Sequence, residues 1–143
     1  MDEQLKEDID KLDRIFLSMQ RKMRAKLSNE LSSGKITLPQ FHILSYLVER
    51  EKAMMVELAR YLRVSASAVT SLVDNLVKMG FLKREFSPAD RRVIITSLTA
   101  KGRKTVLRIR SQFCKLLENS LEKFTSKERK KLLELIGKME QLL

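Results

Sequence analysis

The residues of this chain whose types and spacing could do chemistry are small hydroxyl side chains and arginines. Between Ser65 and Asp74 the sequence sets Ala66, Ser67, Thr70, Ser71 and Asp74 on one side of a helical pattern, with Val69, Leu72, Val73 and Leu76 on the other. Short polar side chains let a helix approach base edges closely, whereas bulky ones would hold it out of a major groove. Further on, Ser87-Pro88-Ala89-Asp90-Arg91-Arg92 puts two arginines on a hairpin tip, with Asp90 their only evident internal partner. A narrow minor groove concentrates negative potential and attracts an inserted arginine. The chemistry on offer is hydrogen bonding and charge pairing with duplex nucleic acid. Catalysis has no comparable support. The chain holds one His, His42, one Cys, Cys114, and four scattered glycines. No acid–base pair, activated nucleophile, metal ligand set or cofactor is therefore expected. His42 reads as a packed or solvent-facing side chain.

These residues need elements to hold them. Ser65 is a good N-cap for the polar-faced helix. Arg63-Val64-Ser65 forms its turn with a shorter helix, whose inner face is Val56, Leu58, Ala59 and Leu62. Gly80 stands where a left-handed C-cap belongs, with Phe81 and Leu82 supplying the apolar contact that accompanies one. Leu82 to Phe86 and Val93 to Leu98 alternate well enough for two strands flanking the arginine tip. Upstream, Thr37 and Gln40 make a capping box with Pro39 tolerated in the first turn. Phe41, Leu44, Leu47 and Val48 form the buried face there, and Glu49-Arg50-Glu51-Lys52 reads as a solvated end. Downstream, Thr99 restarts helix, with Val106, Ile109, Phe113, Leu116, Leu117, Leu121 and Phe124 on its apolar face. Thr125 and Glu128 form a second capping box.

The outer parts of the chain are amphipathic helices. Leu5, Ile9, Leu12, Phe16, Met19 and Met23 recur at nearly heptad spacing, a narrow seam suited to packing on its own domain or on a second chain. Residues 2–13 hold six acids and two lysines, while 14–26 hold five basic residues and no acid, an order that complements the helix macrodipole. This helix is expected to stop near Ser32-Ser33-Gly34. The last helix, with Leu132, Leu133, Leu135, Ile136, Met139, Leu142 and Leu143, is apolar over more than one face. Burying it requires the N-terminal helix, a second subunit, or both.

At 143 residues the chain suits one domain-sized core. Its net charge of +11 suits a polyanionic partner. That charge is unevenly spread: residues 37–97 carry 9 basic and 6 acidic side chains, and residues 98–143 carry 12 and 5. Most of the excess therefore lies outside the segment that would read DNA. The acidic start MDEQLKEDID lacks the pattern of a secretory signal, and no run approaches a membrane span. A reducing, cytoplasmic location without membrane attachment is the expectation.

Together, Gln40-Phe41-x-Ile43-Leu44, the segment ELARYLRVSASAVTSLVDNLVKMGFLKR, the tip Ser87 to Arg92 and Leu98-Thr99-x-x-Gly102 resemble the MarR family of transcription regulators over essentially the full length. The resemblance implies a mainly α fold with a small two- or three-stranded antiparallel β-wing, a winged helix-turn-helix flanked by dimerisation helices. Residues 37–97 would be the DNA-binding domain, with 1–36 and 98–143 the dimerisation region. It implies a homodimeric regulator, more often repressor than activator, on a pseudo-palindromic duplex with half-sites roughly 34 Å apart. The DNA-binding residues would be Ser65, Ser67, Ala68, Thr70 and Ser71 on the helix, with Asp90 and Arg92 as the working pair of the wing. Lys78, Lys83, Arg84 and Arg91 are candidates for phosphate contact. Asp74 would orient a neighbour, either Lys78 at i+4 or a wing arginine.

Two departures from the family pattern matter. Arg63 stands where the turn often has Gly, which suggests another turn conformation and an added phosphate contact from Arg63. The cysteine that the peroxide-sensing branch carries in its N-terminal helix is missing, and Cys114 falls after the wing. Members of the family commonly bind small aromatic or anionic effectors between the dimerisation helices and the winged domain. Phe16, Met19, Met23, Phe41, His42 and Tyr46 could line such a pocket, although core packing explains most of them equally well. The rival reading is a winged-helix protein-interaction module without sequence-specific DNA binding. The polar helix face and Asp90-Arg91-Arg92 argue against it, and the acidic first turns argue against a membrane-surface helix.

Overall fold

The computed structural model describes residues 2–27, 31 and 35–143. Helix α1 spans Glu3–Lys26, with the Asp2 carboxylate accepting from the Gln4 N–H at its start and Arg24 and Lys26 in its last turn. It ends earlier than its sequence suggests, capped by Leu27, and Ser32, Ser33 and Gly34 lie outside the described residues. None of its residues is buried.

Helix α2, Leu38–Arg50, begins with the expected reciprocal Thr37–Gln40 box and Pro39 in its first turn. Its buried face is Gln40, Ile43, Leu44 and Leu47, with Phe41 and Val48 only half-buried. The helix is thus rotated from the expected face, burying Ile43 and placing the Gln40 amide 3.5 Å from the Leu72 carbonyl. Glu51 caps it with a φ of 64°, which turns the chain into strand β1, Lys52–Met54. Glu49-Arg50-Glu51-Lys52 is exposed and ends the helix, as its sequence suggests, but Lys52 also opens a strand that the sequence does not announce. Three residues show too little alternation to announce a strand; only pairing with β3 makes one.

Helix α3, Met55–Leu62, and helix α4, Ala66–Lys78, form the helix-turn-helix. Leu58 is fully buried, but Val56, expected beside it, is exposed. Val69, Val73 and Leu76 of α4 are fully buried, with Leu72 half-buried at their edge. Gly80 takes a φ of 78°, the left-handed value its position calls for. Strands β2, Leu82–Phe86, and β3, Ile94–Leu98, follow. The sheet is antiparallel in the order β1-β3-β2, with Lys52 opposite Ser97 and Leu82 opposite Leu98. The buried Thr96 hydroxyl donates to the Ala53 carbonyl at 2.9 Å and so seals β1 onto β3.

Helix α5, Ala100–Leu121, starts on the Thr99 N-cap and packs against the turn after α4 so closely that Gly102 lies under the Phe81 carbonyl. Its first half supplies Val106 and Ile109 to the core, while Phe113 and Leu117 remain exposed; Phe124, expected on this helix, lies beyond its end and is exposed too. Helix α6, Ser126–Leu142, opens on the expected Thr125–Glu128 box and buries nothing. The core therefore lies among α2, α3, α4, the sheet and the start of α5. Leu133 is 69% exposed and Ile136 57%. The chain exposes 11059 Å², whereas a compact monomer of its mass would expose roughly 7,600 Å². The difference is about 3,500 Å², and exposed apolar side chains are frequent on α1 and α6. No helix among the described residues is long and apolar enough to cross a membrane.

Candidate nucleic-acid interface

Helix α4 is built to end sharply at both termini. The Ser65 hydroxyl accepts from the Ala68 N–H at 3.2 Å and sits 3.1 Å from the Ser67 hydroxyl. At the other end the Lys101 ammonium donates to the Met79 carbonyl at 2.9 Å. It also lies 5.0 Å from the centre of the Phe81 ring. Lys101 is a cap the sequence could not reveal, since it comes from 22 residues further along the chain. The exposed side of α4 carries Ala66, Ser67, Thr70 and Ser71, with Ala68 half-buried at its margin. The Thr70 hydroxyl donates to the Ala66 carbonyl at 2.8 Å. Its hydrogen is thereby committed to backbone, and Thr70 presents an oxygen acceptor and a methyl group to its surroundings.

The turn before α4 keeps its left-handed geometry despite lacking glycine. Arg63 takes φ 55° and ψ 45°, and its N–H donates to the Arg60 carbonyl at 3.2 Å. The alternative turn conformation suggested by the sequence is not adopted. Capping requirements at the end of α3 outweigh roughly 1 kcal/mol of left-handed strain.

The hairpin tip is ordered by Asp90. One carboxylate oxygen accepts both the Arg92 backbone N–H at 3.0 Å and the Arg92 Nε at 3.2 Å. The Val93 N–H donates to the Asp90 carbonyl at 3.0 Å, and the Ser87 N–H to the Val93 carbonyl at 2.8 Å. The Arg92 side chain is 91% exposed. Asp90 therefore fixes the root and the Nε of an arginine whose outer amino groups project from the tip.

Asp74 has the wing partner that the sequence left open. Its carboxylate accepts from the Arg84 guanidinium of β2, so an ion pair joins α4 to the wing. Lys83 lies 3.5 Å from Glu85 on the same strand. Of the cations proposed for phosphate contact, Lys83 and Arg84 thus already have carboxylate partners. Lys78 and Arg91 have none among the described residues.

A cavity of about 1030 Å³ opens on another side of the molecule, lined from α1 by Met23 and Arg24 and from α2 by Phe41, His42, Ser45, Tyr46, Glu49 and Arg50. Tyr61 of α3 and Ile109, Arg110, Phe113 and Cys114 of α5 also line it. Met23, Phe41, His42 and Tyr46 are where the sequence reading set them; Phe16 and Met19 lie outside the lining. The Tyr46 and Tyr61 rings are 4.6 Å apart, and the Arg50 guanidinium stands 5.6 Å from the Tyr46 ring centre. Arg110 pairs with Glu49 at 3.6 Å. The Ser45 hydroxyl is buried without a hydrogen-bond partner among the described residues.

A short helix with a hydroxyl face, braced to an arginine-tipped hairpin, is the geometry of a winged helix. Comparison with known proteins agrees. The family model described as MarR family matches residues 36–94. The transcriptional regulator AdcR of Streptococcus pneumoniae is 37% identical over 101 residues, covering 70% of this chain and 68% of that protein. The crystal structure of the YusO protein of Bacillus subtilis superposes with a TM-score of 0.79 at 25% identity, over 100% of this chain and 99% of that one. MarR from E. coli, in its reduced form, gives 0.71 at 28% identity, over 90% of this chain and 95% of that one. Sequence kinship and shared architecture converge: the chain belongs to the MarR family, and is a DNA-binding winged-helix transcriptional regulator rather than an enzyme.

Proposed function

We propose that this regulator acts as a homodimeric repressor on a pseudo-palindromic operator. The observation that carries the reading is the Asp74–Arg84 pair, which joins a hydroxyl-faced helix and an arginine-tipped hairpin into one unit. In this reading Ser67, Thr70 and Ser71 meet base edges in the major groove, with Ser65 and Ala68 beside them. Arg92, held by Asp90, enters the minor groove. Lys78 and Arg91 lie toward phosphates, whereas Lys83 and Arg84 are engaged by Glu85 and Asp74. Residues 37–97 serve as the reading domain, and 1–36 with 98–143 as the dimerisation region. The exposed apolar faces of α1 and α6 support the second part, since obligate homodimers cover surfaces of this kind on a scale of about 2,000–5,000 Å². Action on an operator implies the cytoplasm as the working compartment.

The cavity supports regulation by a small aromatic or anionic effector. Arg24, Arg50 and Arg110 against Glu49 favour an anion, and the Tyr46, Tyr61 and Phe41 rings favour an aromatic body. Because its walls come from α1 and α5 as well as from α2 and α3, a ligand that prefers the DNA-incompetent spacing of these parts would release the operator.

Selection from a pool of random duplexes, with the mass of the free and bound protein measured by light scattering, tests this reading. Enrichment of a palindrome bound by two copies is expected. Recovery of no common sequence, or a monomer at micromolar concentration, would refute it. An effector panel scored by release of the selected duplex tests the cavity.

A further inference from the structure

Asp74 is out of place on a surface that meets a polyanion. It lies three and four residues beyond Ser71 and Thr70, on the same side of α4, where a bare carboxylate would repel phosphate. Its contact with Arg84 gives it a different task. Both side chains are partly withdrawn from solvent, at 35% exposure for Arg84 and 40% for Asp74. The same arrangement recurs through the reading unit, where Glu85 sits on Lys83 and Asp90 on Arg92. Each of the three acids between residues 65 and 97 is therefore matched to one cation.

Matching has a consequence for selectivity. A cation that reaches a phosphate releases about 0.9 counterion on any duplex, whatever its sequence. A free Arg84 would add such a contact to cognate and non-cognate DNA alike, which raises affinity and lowers discrimination. Asp90 takes only the Nε of Arg92 and leaves its outer amino groups free, whereas Asp74 takes an outer nitrogen of the half-withdrawn Arg84; a guanidinium engaged in that second way gains little by turning to a phosphate. We infer that Asp74 is a specificity-determining residue: by holding Arg84 against α4 it keeps a sequence-independent phosphate contact out of the interface. The role rests on the operator-binding reading of α4 and the wing.

The test compares wild type, Asp74→Asn, which is nearly isosteric, and the double variant Asp74→Asn with Arg84→Gln. Binding to the selected duplex and to a scrambled duplex of equal length is followed by fluorescence anisotropy over a range of salt. Unfolding midpoints establish that the variants fold. Asp74→Asn is expected to bind scrambled duplex about 8-fold tighter at ~0.1 M salt, with a log–log salt slope steeper by about 0.9. The selected duplex gains less, so the ratio of the two affinities falls. The double variant returns the scrambled-duplex slope to the wild-type value. An unchanged slope or ratio in Asp74→Asn overturns the inference, and so does a steep slope that persists without Arg84. A wild-type chain that binds both duplexes alike overturns the operator reading itself, and the role of Asp74 with it.

Discussion

Gly102 is where the fold has least room. A Cβ built there would stand 2.0 Å from the Phe81 carbonyl oxygen and 2.8 Å from its carbon, both backbone atoms that cannot swing away. Gly102→Ala must therefore push the start of α5 off the turn that follows α4. Three contacts cross that seam: the Thr99 N–H to the Phe81 carbonyl at 3.1 Å, the Thr99 hydroxyl to the Gly80 carbonyl, and Lys101 to the Met79 carbonyl. Losing them costs roughly 1 kcal/mol each, and alanine returns up to about 1 kcal/mol of helix propensity. The net destabilisation is about 2–3 kcal/mol. For an unfolding entropy of about 0.3 kcal/mol/K in a chain of this size, that is a fall in Tm of roughly 7–10 °C. Gly137 supplies a matched control, since nothing lies within 4 Å of a Cβ built there. Gly137→Ala in the middle of α6 should raise Tm by about 2–3 °C through propensity alone. Circular dichroism melts at equal protein concentration read both. If Gly102→Ala melted within a degree of wild type, the close seating of α5 on Phe81 would be wrong.

Arg92→Ala should weaken binding to the selected duplex by about 1–3 kcal/mol and make its salt dependence shallower; unchanged affinity in anisotropy titrations would remove the wing tip from the interface. Arg63→Gly relieves a left-handed arginine and should raise Tm by roughly 3 °C, about 1 kcal/mol, and a lower Tm would mean that the Arg63 side chain contributes contacts outweighing the strain. Ile136→Lys puts an ammonium on the apolar face of α6. It should raise the dimer dissociation constant by about 100-fold, from ~3 kcal/mol of lost burial and buried charge, and sizing at several concentrations that showed no change would take that face out of the dimer.

What the sequence determined by itself is what neighbours in the chain decide. The Thr37–Gln40 and Thr125–Glu128 boxes, the Ser65 cap, the left-handed Gly80 and the Asp90–Arg92 pair all span four residues or fewer. Their physics is local hydrogen bonding and backbone sterics, so residue type and spacing were enough. Amphipathic faces were legible too, though only to within a rotation. Val56 reads as inner yet is exposed, and α2 turns to bury Ile43, because a helix orients to the partners it finds. Strand β1 carries no signal of its own and exists through a partner more than forty residues away. Only the tertiary structure could select Arg84 rather than Lys78 for Asp74, bring Lys101 to the end of α4, seat Gly102 under Phe81 and gather Met23, Tyr61 and Cys114 around one cavity. Each of these joins residues far apart in the chain, and the free energy that selects them comes from the packing of a core that no single segment contains.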